Sequence, residues 1–206
     1  MRLRKRVPPL AAAVIACLAT AGVATAAVIT GTDGNDQIRG TDEADQISAL
    51  GGDDFVDALR GDDQVDAGAG QDNVDGSRGA DQLDGRGERD ELRGSRGNDT
   101  LNGDEGRDNV DGQEGNDTLN GGVGPDQVRD GHGADTLNGG PDPDEIDARD
   151  SGGEPNAASA RDTVVCEGGD EARVDRNDVI VAREQCGRIR VSSSGSGGSG
   201  SSGPGS

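Results

Sequence analysis

Gly94-Ser95-Arg96-Gly97-Asn98-Asp99-Thr100-Leu101-Asn102 decides the fold, because its pattern recurs without a gap along the chain. The sixth position is aspartate thirteen times at intervals of nine: Asp36, Asp45, Asp54, Asp63, Asp72, Asp81, Asp90, Asp99, Asp108, Asp117, Asp126, Asp135 and Asp144. Two residues after each stands an aliphatic, from Ile38 and Ile47 through Leu101 to Leu137 and Ile146. A short fixed period of this kind predicts a solenoid in which equivalent positions stack. Thr100-Leu101-Asn102 reads as a short strand with Leu101 inside and its neighbours outside. Gly94 to Asp99 read as the turn. Glycine at the first and fourth positions suggests backbone angles closed to other residues. The fourth position departs from glycine at Glu43, Glu88 and Asp142, where distorted turns are expected, and the second position varies freely.

Two units make one 18-residue coil with two sides. One edge then stacks Asp36, Asp54, Asp72, Asp90, Asp108, Asp126 and Asp144, with Asp162 as its extension. The other stacks Asp45, Asp63, Asp81, Asp99, Asp117 and Asp135. With strands about 4.8 Å apart, the array should be roughly 30 Å long. Bare carboxylates at that spacing repel by about 1 kcal/mol per pair in water, and by a few kcal/mol at an effective dielectric near 20. A cation between the turns is therefore required, and these thirteen aspartates are its candidate ligands. Calcium fits best, because it takes six to eight oxygens in irregular geometry, whereas magnesium wants a tight octahedron. Zinc wants histidine and cysteine, and the chain has one His and three Cys.

Residues 1–26 read as a secretory signal peptide. Arg2, Arg4, Lys5 and Arg6 precede an apolar run over 10–23 and the small-x-small site Ala24-Thr25-Ala26. Val14-Ile15-Ala16-Cys17 resembles a lipoprotein box, so a lipid anchor through Cys17 is the alternative. No later stretch is apolar enough to span a membrane. Without the leader the chain keeps 16 Lys+Arg against 41 Asp+Glu, a charge of −25. Such a surface repels nucleic acid and anionic lipid and attracts divalent cations. With one Phe and no Trp or Tyr, the chain is also expected to be disordered without metal.

The repeat array covers 27–148. Residues 149–160 read as a surface loop and 161–191 as a terminal cap. The cap holds the β-prone runs Thr163-Val164-Val165, Arg173-Val174 and Val179-Ile180-Val181. Residues 192–206 form a flexible Ser/Gly tail. Cys166 and Cys186 are an even pair in an exported chain, for which a disulfide is expected; two free thiols or a zinc site are the other readings.

Gly103-Asp104-Glu105-Gly106-Arg107-Asp108-Asn109-Val110 and Gly121-Gly122-Val123-Gly124-Pro125-Asp126-Gln127-Val128 are similar to the Gly-Gly-x-Gly-x-Asp-x-aliphatic-x unit of the repeats-in-toxin, or haemolysin-type calcium-binding, family. The resemblance implies an all-β, right-handed parallel β-roll (β-solenoid) of tandem nonapeptide repeats, here with a disulfide-closed C-terminal cap. It implies calcium held by the aspartate carboxylates and by turn carbonyls, those of Gly94, Gly97, Gly103, Gly106, Gly112, Gly115, Gly121 and Gly124. It also implies folding coupled to calcium outside the cell. The cap, with Asp162-Thr163-Val164-Val165-Cys166 and Cys186, is similar to ends of short exported repeat proteins of high-GC Gram-positive bacteria. Two departures count. The chain carries an N-terminal leader where many members use a one-step exporter. It also leaves no room for the toxin, protease, lipase or epimerase domain of many members.

The expected function is therefore that of a secreted, monomeric calcium-binding repeat protein and not an enzyme. The one histidine, His132, sits in the turn Asp130-Gly131-His132-Gly133, and the carboxylates are committed to the ladder. A calcium-dependent surface adhesin, a module binding ice or a cell-surface glycan, and a hydrolase accessory are the alternatives. The ice reading draws on Thr100-Leu101-Asn102, Thr118-Leu119-Asn120 and Thr136-Leu137-Asn138, which lie 18 apart on one face.

Overall fold

A computed structural model describes residues 26–149, 161–181 and 185–192. The expected leader, Cys17, most of the 149–160 loop and the tail beyond 192 lie outside the described residues. The chain runs through β1 (Val28–Thr30), β2 (Gln37–Arg39), β3 (Gln46–Ser48), β4 (Phe55–Asp57), β5 (Gln64–Asp66), β6 (Asn73–Asp75), β7 (Gln82–Asp84) and β8 (Gly87–Glu88). It continues through β9 (Glu91–Arg96), β10 (Thr100–Gly106), β11 (Asn109–Glu114), β12 (Thr118–Val123), β13 (Gln127–His132), β14 (Thr136–Asn138) and β15 (Glu145–Ala148). It ends in β16 (Thr163–Val165), β17 (Glu171–Val174), β18 (Val179–Val181) and β19 (Arg188–Val191). No α-helix occurs among the described residues.

The strands alternate between two parallel sheets. One stacks β1, β3, β5, β7, β10, β12, β14, β16 and β18; the other stacks β2, β4, β6, β9, β11, β13, β15, β17 and β19. Register steps by 18 residues through the array, so that Leu83, Leu101, Leu119 and Leu137 align on one side and Val56, Val74, Leu92 and Val110 on the other. This is a parallel β-solenoid of about eight turns. Strand side chains alternate, so one aliphatic per rung faces inward. All of these are buried, and they form the core together with Ala49, Ala58 and Ala67 at first positions.

Three features depart from the sequence reading. First, β9 to β13 are six or seven residues long, because their turns pair with the neighbouring turns as well. Second, the left-handed backbone falls on the second position, not the first. Leu50, Leu59, Ser77, Arg86, Ser95, Asp104 and Gln113 all stand there with φ between 69° and 81°. Non-glycine residues are strained in that region by about 1 kcal/mol each. The first-position glycines serve a different need, close approach. A Cβ on Gly94 would lie 2.3 Å from Asp99 Oδ2. At the fourth position Glu88 takes the left-handed angle (φ 79°) that its glycine counterparts take. Glu43 instead donates its NH to Thr41 Oγ1 at 3.2 Å, and Asp142 Oδ2 accepts the Gly124 NH at 2.9 Å.

Third, Asp162 joins the opposite edge. β16 pairs with β14, not with β15, because the chain spends eighteen residues between Glu145 and Thr163 where a half-coil needs nine. Counting in steps of 18 cannot see the nine extra residues. Beyond them the segment continues both sheets, and it contains a fourth strand, β19, that the sequence reading did not include. A disulfide joins Cys166 and Cys186, 20 residues apart with Cα atoms at 5.1 Å. Closing a loop of that size contributes about 3 kcal/mol by restricting the unfolded chain.

Candidate metal centre

Every ladder aspartate stands just before a strand, and the inward aliphatic two residues later pulls its carboxylate below the surface. All thirteen are between 1% and 5% exposed. From Asp45 onward each carboxylate meets the backbone of the preceding coil. The Asp81 NH donates to Asp99 Oδ1 at 2.8 Å, and the Asp99 NH donates to Asp117 Oδ1 at 2.8 Å. The other edge repeats this through Asp72, Asp90, Asp108 and Asp126, each link 2.8 Å. Among the described residues one edge runs on from Asp144 NH to Asp170 Oδ1 (3.2 Å), and the other from Asp135 NH to Asp162 Oδ1 (2.9 Å) and from Asp162 NH to Asp178 Oδ1 (3.4 Å). Sequence reasoning missed Asp170 and Asp178, which follow Asp144 by 26 residues and Asp162 by 16 and so fall out of phase.

The second carboxylate oxygen is a different matter. Oδ2 of Asp54, Asp63, Asp72, Asp81, Asp90, Asp99, Asp108, Asp117, Asp126 and Asp144 is buried and receives no hydrogen bond. A buried charged oxygen without a donor costs free energy. The carboxyls therefore resist ionisation. Burial, opposed by the backbone hydrogen bond and aided by neighbouring aspartates, pushes Asp90 up to about 8, and Asp81 and Asp144 up to about 7. The same causes push Asp63, Asp72, Asp99 and Asp126 up to about 6, and raise Asp54, Asp108 and Asp117.

These oxygens share their surroundings with backbone carbonyls. A Cβ on Gly85 would lie 2.6 Å from Asp90 Oδ2 and 2.9 Å from the Gly103 carbonyl of the next coil. The point is repeated at Gly103, with Asp108 Oδ2 at 2.6 Å and the Gly121 carbonyl at 2.4 Å. Carboxylate and first-position carbonyl thus converge where nine of the thirteen units carry glycine and Ala49, Ala58 and Ala67 carry only a methyl group. Of the glycines expected to offer carbonyls, Gly103 and Gly121 are brought to the carboxylates in this way. The carbonyls of Gly97, Gly106 and Gly115 are aimed instead at the fourth-position glycine of the next coil, within 1.4–1.7 Å of where its Cβ would be. The Gly94, Gly112 and Gly124 carbonyls make neither approach among the nearest neighbours of these glycines.

The first two rungs are built differently. Thr32 donates its NH (2.6 Å) and its hydroxyl (2.9 Å) to Asp36 Oδ2. Asp45 Oδ2 accepts the Thr41 NH at 2.6 Å, while its Oδ1 accepts the Thr41 hydroxyl and the Ala27 NH. Threonine at the second position supplies locally what the later turns lack, because glycine, leucine, serine or arginine held there in the left-handed angle does not present a hydroxyl to the same carboxylate. The signal was in the sequence as Thr32 and Thr41, alone among second positions.

On the outer face Thr100, Thr118, Thr136 and Thr163 stand in register, and Asn120 donates to Asn102 at 2.8 Å. No helix among the described residues is long and apolar enough to cross a membrane.

The donor set suits a hard divalent ion: anionic and carbonyl oxygens, no nitrogen or sulfur, with one buried carboxylate oxygen per rung left without a donor. The family model of the RTX calcium-binding nonapeptide repeat, four copies long, matches residues 30–65, 48–83, 59–92, 84–119 and 111–146. No curated protein matches the chain. With repeats matched over 30–146 and folded as a parallel β-solenoid, the chain belongs to the RTX calcium-binding nonapeptide repeat family.

Proposed function

We propose that this is a secreted calcium-binding protein whose solenoid assembles around calcium held between stacked turns, and that binding and structure, not catalysis, are its work. The observation that carries this reading is the row of buried Oδ2 atoms without a donor, from Asp54 to Asp144. Calcium would supply the positive charge that these oxygens lack. Asp54, Asp63, Asp72, Asp81, Asp90, Asp99, Asp108, Asp117, Asp126, Asp135 and Asp144 would hold it, helped by first-position carbonyls such as those of Gly103 and Gly121. Asp45, already supplied on both oxygens by Thr41 and the Ala27 NH, would close its edge at the N-terminal end, whereas Asp36, supplied by Thr32 on Oδ2 alone, would still offer calcium its buried Oδ1. Export follows from the leader reading of 1–26, and extracellular calcium would then be the folding signal.

Calorimetric calcium titration of the chain, with Asp99→Ala, Asp117→Ala, Asp90→Ala and the double variants, tests this. Several ions should bind per chain. Asp99→Ala and Asp117→Ala share an edge, so their losses should overlap. Asp99→Ala and Asp90→Ala lie on opposite edges and should add. No binding at millimolar calcium would refute the proposal, and overlapping losses across edges would refute the two-ladder arrangement.

A further inference from the structure

We propose a second kind of cation site, made by Asp130, Asp135 and Asp162 where the repeat array meets the C-terminal rungs, with calcium as its occupant. One carboxylate oxygen from each of these residues lies within 4.8 Å of the others. Oxygens sharing one calcium ion at about 2.3–2.6 Å must fall within such a span. The three residues are 2%, 2% and 1% exposed.

Asp130 makes this site unlike the others. It occupies the first position of its repeat, where the other twelve units carry glycine or alanine. The space there is small: a Cβ on Gly139 would lie 2.3 Å from Asp144 Oδ2, and the largest group that the other twelve units place there is the methyl of Ala49, Ala58 and Ala67. Asp130 puts a whole carboxylate there, beside the carboxylate of its own repeat, Asp135. Its Oδ1 accepts the Gly131 NH at 2.6 Å. No donor reaches its buried Oδ2, and its carboxyl lies within hydrogen-bonding reach of the Asp162 carboxyl. The charge of Asp130 reaches Arg149, but that guanidinium is engaged by both oxygens of Asp147 at 2.6 Å.

The third carboxylate comes from beyond the nine extra residues. Asp135 donates its NH to Asp162 Oδ1 across 27 residues of chain, not the usual 18. An ion held by this set would tie the last coil of the array to the first rung after them. The ordinary ladder site places one aspartate per coil on an edge; this one adds a carboxylate from inside the coil. The choice of calcium rests on the function proposed above, whereas the site itself rests on Asp130.

Calcium titration calorimetry on the whole chain and on Asp130→Gly is the test, with far-UV circular dichroism as a check on the fold. Asp130→Gly restores the residue that most other repeats carry, so it should fold. The expected result is one fewer ion per chain, with an unchanged spectrum in saturating calcium. A wild type that binds a single ion, lost in the variant, would support this site and refute the ladder. Equal stoichiometry in the two proteins overturns the proposal while leaving the ladder standing. No calcium bound by either protein overturns both. Asp130→Asn, which keeps the side-chain volume, should lose the same ion; if it alone retains it, the carboxylate charge is not what binds.

Discussion

Stripped of calcium, the chain is expected to gain β-structure as the pH falls from about 8 to about 4. The carboxyls of Asp63, Asp72, Asp99 and Asp126 lie near 6, those of Asp81 and Asp144 near 7 and that of Asp90 near 8, all raised from 3.8 chiefly by burial. Burial, with the neighbouring charges of Asp162 and Asp135 and a hydrogen bond to the Asp162 carboxyl, raises Asp130 well above the usual carboxylate range. Across this window the folded chain binds more protons than the unfolded one, so stability falls as pH rises. The contribution is fully present below the unfolded value near 4 and is lost through 6 to 8. Each tenfold bias toward the proton is worth about 1.4 kcal/mol, and many such groups act together. A proton on Oδ2 removes the buried charge that calcium would otherwise compensate. Urea titrations in excess chelator should show a much higher midpoint at pH 4.5 than at pH 7.5. A lower midpoint at acid pH would contradict the account. In saturating calcium the sign should reverse, because protons and calcium compete for the same oxygens.

Gly97→Ala is expected to remove the solenoid around the middle rungs. An alanine Cβ there would lie 1.4 Å from the Gly79 carbonyl oxygen, and the backbone stands at φ 137°. Both the neighbouring coil and the residue itself would have to move, at a cost of roughly 3 kcal/mol or more. Gly87→Ala is the control. A Cβ on Gly87 meets nothing within 4 Å, and the change should stay within about 0.5 kcal/mol. Denaturant unfolding of both variants in calcium measures the difference. Equal stability would mean that the coils do not approach as closely as described.

Much of this molecule is legible from its period. Aspartate every nine residues with an aliphatic two places on predicts the coil, its two edges and the inward row from Ile38 to Ile146, because strand alternation and stacking leave little choice. What the period hides is anything that breaks phase or depends on atomic contact. Asp162 falls on the opposite edge because nine extra residues precede it in the sequence. Asp170 enters the ladder only through the cap's shorter steps. The left-handed angle at Leu50, Arg86 and Gln113 contradicts their own preference and is imposed by the stacked turns, whose family pattern has glycine there. The carboxylates are also not the bare charges that a stacking estimate assumes. From Asp45 onward each gives one oxygen to a backbone NH of the coil before it, so the burden rests on the second oxygen. That detail changes the physics from repulsion along a row to a missing partner at each rung.

Far-UV circular dichroism at pH 7.5, in excess chelator and then with calcium added back, tests the central claim most directly. The account predicts a coil spectrum without calcium, even with the Cys166–Cys186 disulfide intact, and a β spectrum that returns as calcium fills the ladder. A β spectrum that persists in chelator at this pH would show that the buried oxygens need no cation, and would contradict it.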